Sequence, residues 1–534
     1  MIGDALHPLS LREVIADQVA QWLVEHVGRQ SDLCSDSRRL RPGDGFIARA
    51  GRQSSAEAYI HQAIAAGASA IVVDGGDAIA AIETVPSRIP MIRVPKLASR
   101  VGMITSAFYG RPSMVLQVIA VTGTNGKSTV TAALAYALAR SGIAAAAIGT
   151  LGLAVFPARC DPGVSPTWDD QITGGLTTPD PVDVQRILHH LKGRGVSAVV
   201  IEASSIGLVQ GRLQGCAIKV AAFTNLSHDH LDVHGTMEAY AQAKALLFAA
   251  PSLGAMVVNT DDPYAMTMWQ SHDANIDRIA VGQQAPKNAH VHLRVTNAGS
   301  SLSGWDLTIA GTGDAFDLSG DLHLPVLGRH NVDNAMVVAG CLLAMSVDSS
   351  VVRERLGEFM LPPGRLQMVS RHRGPWACID YAHSPDALAR VLEALAPLAQ
   401  ARRGRLVCIF GCGGNRDAAK RPVMGRVAAE RADLVVLTSD NPRTESPEAI
   451  LDAIEMGVPE RLRQKVVRQS DRALAIAQTI ARAHAEDVVV IAGKGHEQTQ
   501  AIGSREILFS DADHAARAID GWGVAHAVDG VAHA

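Results

Sequence analysis

Val115-Leu-Gln-Val-Ile-Ala-Val-Thr-Gly-Thr-Asn-Gly-Lys-Ser128 is the stretch on which the fold turns. The apolar run 115–121 predicts a strand, the glycine-bearing turn breaks it, and 128–140 is compatible with a helix. A strand, a turn and a helix in that order bring backbone amides and the positive end of a helix dipole to one point, where they can cradle phosphate. Lys127 would then meet the β- and γ-phosphates, and the Ser128 hydroxyl would face Mg²⁺. Val121 stands where the strict G-x-x-x-x-G-K-[ST] pattern has its first glycine, so the loop is a shorter G-T-N-G-K-S. A plain glycine-rich turn is the competing account. The context favours nucleotide binding, with a GTPase or a transport ATPase still open on spacing alone.

Working outward, apolar runs at 198–201, 220–223 and 256–258 alternate with helical stretches such as 236–249, the rhythm of a parallel sheet. Upstream, 33–94 reads as a small α/β unit with a turn at Arg41-Pro42-Gly43-Asp44 and strands at 45–48 and 70–73. After Pro362-Pro363-Gly364 the rhythm restarts, with strands at 376–379, 406–410, 434–437 and 488–491. Ser384-Pro385 and Ser446-Pro447 each set a capping hydroxyl ahead of a proline suited to the first helical position. The expected class is α/β in three domains: 1–111, then 112–362 around a P-loop-type parallel sheet, then a Rossmann-like 363–534. Residues 521–534, small, polar and aperiodic, read as a disordered end.

The 534 residues, 47% of them apolar, are too many for one core. With 49 basic against 53 acidic residues there is no positive field for a phosphate backbone, which argues against nucleic acid. Seven scattered cysteines indicate neither a disulfide framework nor a zinc ribbon, and Cys412 reads as a small buried thiol. The opening MIGDALHPLS has no basic region leading into an apolar core, so a cytoplasmic protein is expected. The stretch 131–156 is apolar but interrupted by Arg140, Ser141 and glycines. A buried helix running into a strand explains it better than membrane insertion.

Further segments widen the reading: Ser35-Asp-Ser-Arg38, Thr177-Thr-Pro179, Glu202-Ala-Ser-Ser205, Asn225-Leu-Ser-His-Asp-His-Leu-Asp232 and Gly328-Arg-His-Asn-Val-Asp-Asn334. Asp380-Tyr-Ala-His383, 411–422, Asp440-Asn-Pro-Arg443 and Gly493-Lys-Gly-His-Glu497 follow. Together with the phosphate loop, their order resembles the tripeptide synthetase branch of the Mur ligase family, whose relatives include the folylpolyglutamate synthetases. The resemblance implies an N-terminal domain for a UDP-sugar, a central ATPase domain and a C-terminal domain for the incoming amino acid. It also implies a role in peptidoglycan precursor synthesis. ATP would phosphorylate the free carboxylate of UDP-N-acetylmuramoyl-L-alanyl-D-glutamate, and the amine of meso-diaminopimelate would displace phosphate to form an amide. The implied cofactor is Mg²⁺, with ATP as co-substrate, and the enzyme is expected to act as a monomer.

The resemblance also assigns residues. Gly123, Thr124, Asn125, Gly126, Lys127, Ser128, Asn334 and Arg365 fall on nucleotide positions. Ser128, Glu202, His230 and Lys244 fall on metal positions, Lys244 as an N-carbamoylated lysine. Lys127, Lys244 and His230 are the implied catalytic set. Without the resemblance, Glu202 is an acid at a strand end, where α/β ligands gather, and Lys244 an ordinary surface lysine. Ser35, Ser37, Arg52, Gln53 and Ser54, then Thr177, Thr178, Ser204, Gln210 and Arg212, match contacts to the UDP-sugar peptide. Ile206 stands at a position that is usually histidine, Asn415 at one that is often aspartate, and Ser55-Ala56 replaces a usual Asp-Gly pair.

Diaminopimelate exceeds lysine by one carboxylate, so a site selecting it should present a guanidinium. Asp440, Asn441, Pro442 and Arg443 match the family's diaminopimelate sequence, and Arg416, Gly493 and Glu497 match the remaining amino-acid contacts. A surface salt bridge is the ordinary alternative for Arg443. A folylpolyglutamate synthetase would lack the 440–443 segment, and a degenerate scaffold would have lost Lys127, Glu202, His230 or Lys244. All four are present.

Overall fold

In the computed structural model the described residues are 8–28, 31–49, 56–74, 89–164, 166–272, 275–313, 318–370 and 374–531. Arg52, Gln53 and Ser54 lie outside them. Among the described residues, three large sheets and a two-stranded hairpin carry the chain. The first is parallel throughout, in the order Leu33–Cys34, Gly45–Ala48, Ala70–Asp74, Met91–Val94. Helix Val101–Phe108 buries Val101 and Ile104 against this sheet's Leu33, Ala70 and Val72. That apolar cluster also includes Val182, which belongs to the next sheet's helical layer.

The central sheet has ten strands, and its middle is parallel: Val291–Ser301, Asp277–Val281, Ala255–Asn259, Ile218–Phe223, Gln117–Thr122, Ala198–Glu202, Ala145–Gly149. Parallel strands need cover on both faces and therefore read as unbroken apolar runs, which is why they are visible in sequence. Antiparallel strands close the edges, Gly152–Phe156 on one side and Gly304–Gly313 with Gly320–Leu324 on the other. The parallel sheet expected from sequence is present, with antiparallel strands added at its edges. The 131–156 stretch is helix Lys127–Arg140, buried along most of its length, followed by strands Ala145–Gly149 and Gly152–Phe156. No described helix is long and apolar enough to cross a membrane.

The third sheet runs Gln367–Val369, Trp376–Asp380, Val488–Ala492, Leu406–Phe410, Leu434–Leu437, Val466–Arg468, antiparallel only at its first pair. Ser384 and Ser446 cap their helices as predicted, accepting from Ala387 N at 3.3 Å and Ala449 N at 3.5 Å. Arg472 and Asp511, both fully buried, pair at 2.7 Å, and Arg472 also donates to the carbonyls of Ser439 and Ala492. One guanidinium thereby ties two strand ends to the final helix, Asp511–Val531. That helix corrects the disordered end expected from 521 onward. It follows Ser510, whose hydroxyl accepts from Asp513 N, and it seats Ile519 and Trp522 in the core. All seven cysteines are free, and burial pushes the Cys412 thiol up to about 12.

Candidate active site

Chain order reverses on either side of Gln117–Thr122, and a crevice opens beyond the carboxyl ends of such strands. The phosphate loop lies there. Gly126, at φ +86°, caps helix Lys127–Arg140, and a Cβ at this position would run into Asn334 Oδ1. The loop is held from outside by Thr124 N on Asn225 O (2.8 Å), Asn125 N on Asn225 Oδ1 (3.1 Å) and Thr224 Oγ1 on Asn125 O (2.7 Å). Lys127 Nζ folds back on the carbonyls of Gly123 and Thr124, each at 2.9 Å. Burial pulls its pKa down, while Glu202 and Asp229 act in the opposite direction. Buried Ser128 accepts from Arg365 Nη2 at 3.2 Å. A cleft of about 520 Å³ is lined by Gly126, His330, Asn334, Arg365 and Arg390, among others.

Glu202 ends its strand almost fully buried. Its Oε1 accepts from Thr150 N at 2.9 Å and its Oε2 from Thr150 Oγ1 at 3.2 Å. Gly149 is glycine because the Glu202 carboxylate occupies the place of a Cβ. Lys244 is not the surface lysine that its sequence neighbourhood suggests. It is 1% exposed, with Nζ donating to Gly123 O at 2.8 Å and lying 4.4 Å from the Tyr240 ring centroid. Burial, reinforced by Lys127, takes its pKa well below the usual lysine range. His230 sits in the left-handed region at φ 53°, edge-on to Tyr240. Burial lowers its pKa, with Lys127 and Lys244 adding to the effect and Asp229 opposing it.

Tyr240 escaped sequence reading. Its hydroxyl meets Thr124 Oγ1 at 3.3 Å, its ring stacks with His234, and His234 Nε2 lies 2.9 Å from Ser205 Oγ. A tyrosine four residues before a buried lysine on one helix face was the available signal.

The sugar-side candidates divide into two kinds. Thr178, Ser204 and Ser37 are spent internally: Thr178 Oγ1 donates to Glu202 O (2.8 Å), Ser204 Oγ caps Gly207 N (3.1 Å), and Ser37 Oγ donates to Gln62 Oε1 (2.7 Å). Thr177 Oγ1 lies 3.1 Å from Thr150 Oγ1, and Arg212 reaches both Thr178 O and Gln210 Oε1 at 2.7 Å. Ser35 Oγ donates to Asp180 Oδ1 at 3.0 Å. Asp180, also unforeseen, pairs with Arg49 and caps helix Pro181–Gly193 through Val182 N. The Asp-Pro step marks that cap in the sequence.

On the third sheet, Arg443 has φ 52° and is clamped by the hairpin Thr499–Ile502/Arg505–Leu508. Its N–H donates to Ala501 O (3.0 Å), and its carbonyl accepts from Gly503 N (2.6 Å). Its guanidinium donates to Gly414 O at 2.8 Å, so no surface carboxylate holds it among the described residues. Asp440 Oδ1 accepts from Asn441 N, and a Cβ at Gly493 would sit 2.5 Å from Asp440 Oδ2. Pro442 is buried within the loop, while Arg416 is exposed. Asn415 adopts the left-handed region at φ 54°, which asparagine tolerates, and its Oδ1 accepts from Thr444 Oγ1 at 2.9 Å. Glu497 is already held by Lys494 and Asn441. Asp380 serves the turn: its oxygens accept from Leu366 N and Ala382 N, both at 2.8 Å.

Residues 121–342 match the Mur ligase middle domain, and 364–495 match the Mur ligase glutamate ligase domain. The chain is 39% identical to a UDP-N-acetylmuramoyl-L-alanyl-D-glutamate--2,6-diaminopimelate ligase of Ralstonia nicotianae, over 97% of this chain and 99% of that one. It is 40% identical to the enzyme of the same name from Pseudomonas aeruginosa, over 97% and 100%. A solved structure bearing that enzyme name superposes with a TM-score of 0.60 at 33% identity, covering 92% of this chain and 94% of the other. A folylpolyglutamate synthase of Mycobacterium tuberculosis complexed with ADP shares the fold at a TM-score of 0.56 and 19% identity, over 73% and 90%. With a phosphate loop, a buried lysine beside it and two family domains in register, the chain belongs to the Mur ligase family.

Proposed function

We propose that this protein is the ligase that adds meso-diaminopimelate to the D-glutamate of UDP-N-acetylmuramoyl-L-alanyl-D-glutamate, consuming ATP in cytoplasmic peptidoglycan precursor synthesis. The observation that carries the reading is Lys244, a fully buried amine on the first carbonyl of the phosphate loop with no carboxylate at ion-pair distance among the described residues. A GTPase or transport ATPase has no use for such a group. A neutral buried amine is the form that adds CO₂, and the resulting carbamate would turn a cation into an oxygen ligand.

The amides of Gly123 to Ser128 and the helix behind them take the polyphosphate. Lys127 exchanges its two loop carbonyls for phosphate oxygens, and Arg365, already at Ser128, spreads the charge of the transferring group. Asn334 and Arg365 line the nucleotide cleft. A carboxylate oxygen of the D-glutamate forms a bond to the γ-phosphorus as the bond to the bridging oxygen of ADP breaks. The amine nitrogen of diaminopimelate then attacks the acyl carbon, and phosphate departs with the electron pair.

The donors fit Mg²⁺, a hard cation that takes few protein ligands and keeps phosphate and water oxygens. Among the described residues no cluster of three or more His, Cys, Asp or Glu forms a metal cage. Each Glu202 oxygen accepts one bond from Thr150 and has further lone pairs. Ser128 and Glu202 would hold one ion, and His230 with carbamoylated Lys244 a second, supplying charge neutralisation around the polyphosphate when bound.

Ser35, Thr177, Gln210 and Arg212, with Arg52, Gln53 and Ser54, would face the UDP-sugar peptide. Arg443, Arg416 and Glu497, on the frame of Asp440, Asn441, Pro442 and Gly493, would face diaminopimelate. We divide the chain into 1–111, 112–362 and 363–534 and take it as a monomer. The test supplies purified protein with Mg²⁺, ATP and the UDP-dipeptide, and offers diaminopimelate or L-lysine in parallel. Phosphate release and a product mass with diaminopimelate alone are expected; a product mainly with lysine would overturn the specificity, and no turnover with either would overturn the function.

A further inference from the structure

Lys494 is fully buried, 0% exposed, three residues before Glu497. Its Nζ donates to Glu497 Oε2 at 2.7 Å and to Asn441 Oδ1 at 3.1 Å. Asn441 Nδ2 donates to the same Oε2 at 2.8 Å, and Asn441 Oδ1 accepts a further bond from Ala501 N at 2.9 Å. Three segments are therefore joined through Lys494 and Asn441: the 440–443 loop, the loop after strand Val488–Ala492, and, through Ala501, the hairpin that clamps Arg443.

The donor inventory fixes the arrangement. An ammonium has only donors, so the Asn441 carbonyl must face it, which turns the Asn441 amide toward Glu497. Oε2 of Glu497 takes two donors and is saturated in its local plane; Oε1 is the oxygen these donors leave over. A carboxylate with one oxygen pinned cannot rotate, and it presents the other in a single direction. Lys494 also balances the charge of Glu497, whose side chain stays 31% exposed and so remains within reach of a substrate.

We propose that Lys494 is the positioning residue of the amino-acid site. It holds Glu497 and Asn441 in one rotamer each, so that Glu497 Oε1 meets an ammonium group of the incoming diamino acid while Arg443, braced by the same hairpin, meets its distal carboxylate. The proposal rests on the ligase reading above.

The test is steady-state kinetics of the full-length enzyme for all three substrates in Lys494→Met and Lys494→Gln. Lys494→Met is expected to raise KM for diaminopimelate about tenfold or more, to change kcat less than about threefold, and to leave KM for ATP and for the UDP-dipeptide unmoved. Lys494→Gln, which keeps a donor of similar reach, is expected to recover part of the loss and carries the comparison if the Met variant does not accumulate. Thermal shift gives a second readout: diaminopimelate should stabilise the parent but not Lys494→Met, while ATP stabilises both. An unchanged KM for diaminopimelate, or a proportional loss toward every substrate, overturns the proposal. A parent enzyme with no diaminopimelate-dependent turnover overturns the ligase reading instead.

Discussion

The side-chain nitrogen of Lys244 lies 2.8 Å from the carbonyl oxygen of Gly123, so an almost fully buried amine rests on the loop expected to receive the triphosphate. Burial without an anionic partner is costly, and the cost is not recovered in the free protein. Lys244→Met should therefore lower kcat by about a hundredfold or more while raising unfolding stability by roughly 1 kcal/mol. Native mass measurement of the parent should show one CO₂ adduct that the variant lacks. Lys244→Ala activity that recovers with short carboxylates would agree; activity equal to the parent without them would refute the carbamate role.

In the proposed amino-acid site, Arg443 faces the carboxylate that distinguishes diaminopimelate from lysine. Arg443→Ala should raise KM for diaminopimelate by about 30-fold, the order of 2 kcal/mol for a charge-assisted pair, with little change in ATP affinity. Competition between the two amino acids measures it, and an unaltered preference would count against the assignment.

Arg472 and Asp511 should matter for stability rather than turnover. Replacing Arg472 by Met leaves Asp511 buried and unpaired, and releases the carbonyls of Ser439 and Ala492. A loss of about 3–5 kcal/mol is expected in urea unfolding of the third domain. The double replacement with apolar residues should recover much of it.

His330 and His496 give the pH dependence its sign. Burial, with Arg390 near the first and Arg365 near the second, lowers both from 6.5 to about 4. Between those limits the unfolded chain binds protons that the native fold refuses, so stability falls as pH drops from about 6.5 toward 4 and is flat above. The two together should cost on the order of 4 kcal/mol by pH 5, about 2 kcal/mol each. Urea midpoints at pH 7.5 and 5 measure this, and His330→Gln should flatten part of the slope.

The sequence was most readable where local chemistry and tertiary role coincide. The strand-turn-helix at 117–140, the unbroken apolar strands and the Ser-Pro caps each follow from short-range rules. Strand Val291–Ser301 was missed because burial alternates over only its first half and gives way to exposed Asn, Gly and Ser, leaving no apolar run. The last helix was missed because its glycines and aspartates hide an alanine-rich turn pattern anchored by Ala515, Ile519 and Trp522. In the site, Asp180, Thr150 and Tyr240 went unseen because their meaning lies in what they touch across more than twenty residues of chain. Lys244 and Glu202 acquired meaning from family resemblance, and burial then gave that meaning a physical basis.

The joint at Pro362-Pro363-Gly364 has a mechanical consequence. Before it, the first two domains share an apolar cluster through Val182 and one carboxylate through Asp180, and so form one lever arm. After it, the third domain meets that arm through polar contacts, Asn125 to Asp386 and Arg365 to Ser128, and through Leu327 and Leu361 packed on its core. Two prolines stiffen the chain here, and at Gly364, φ +69°, the backbone of Gly495 and His496 fills the space a methyl group would need. A single methyl there would press on the loop after Val488–Ala492, which carries Lys494 and Glu497 of the proposed amino-acid site, so the joint and that site share one backbone contact.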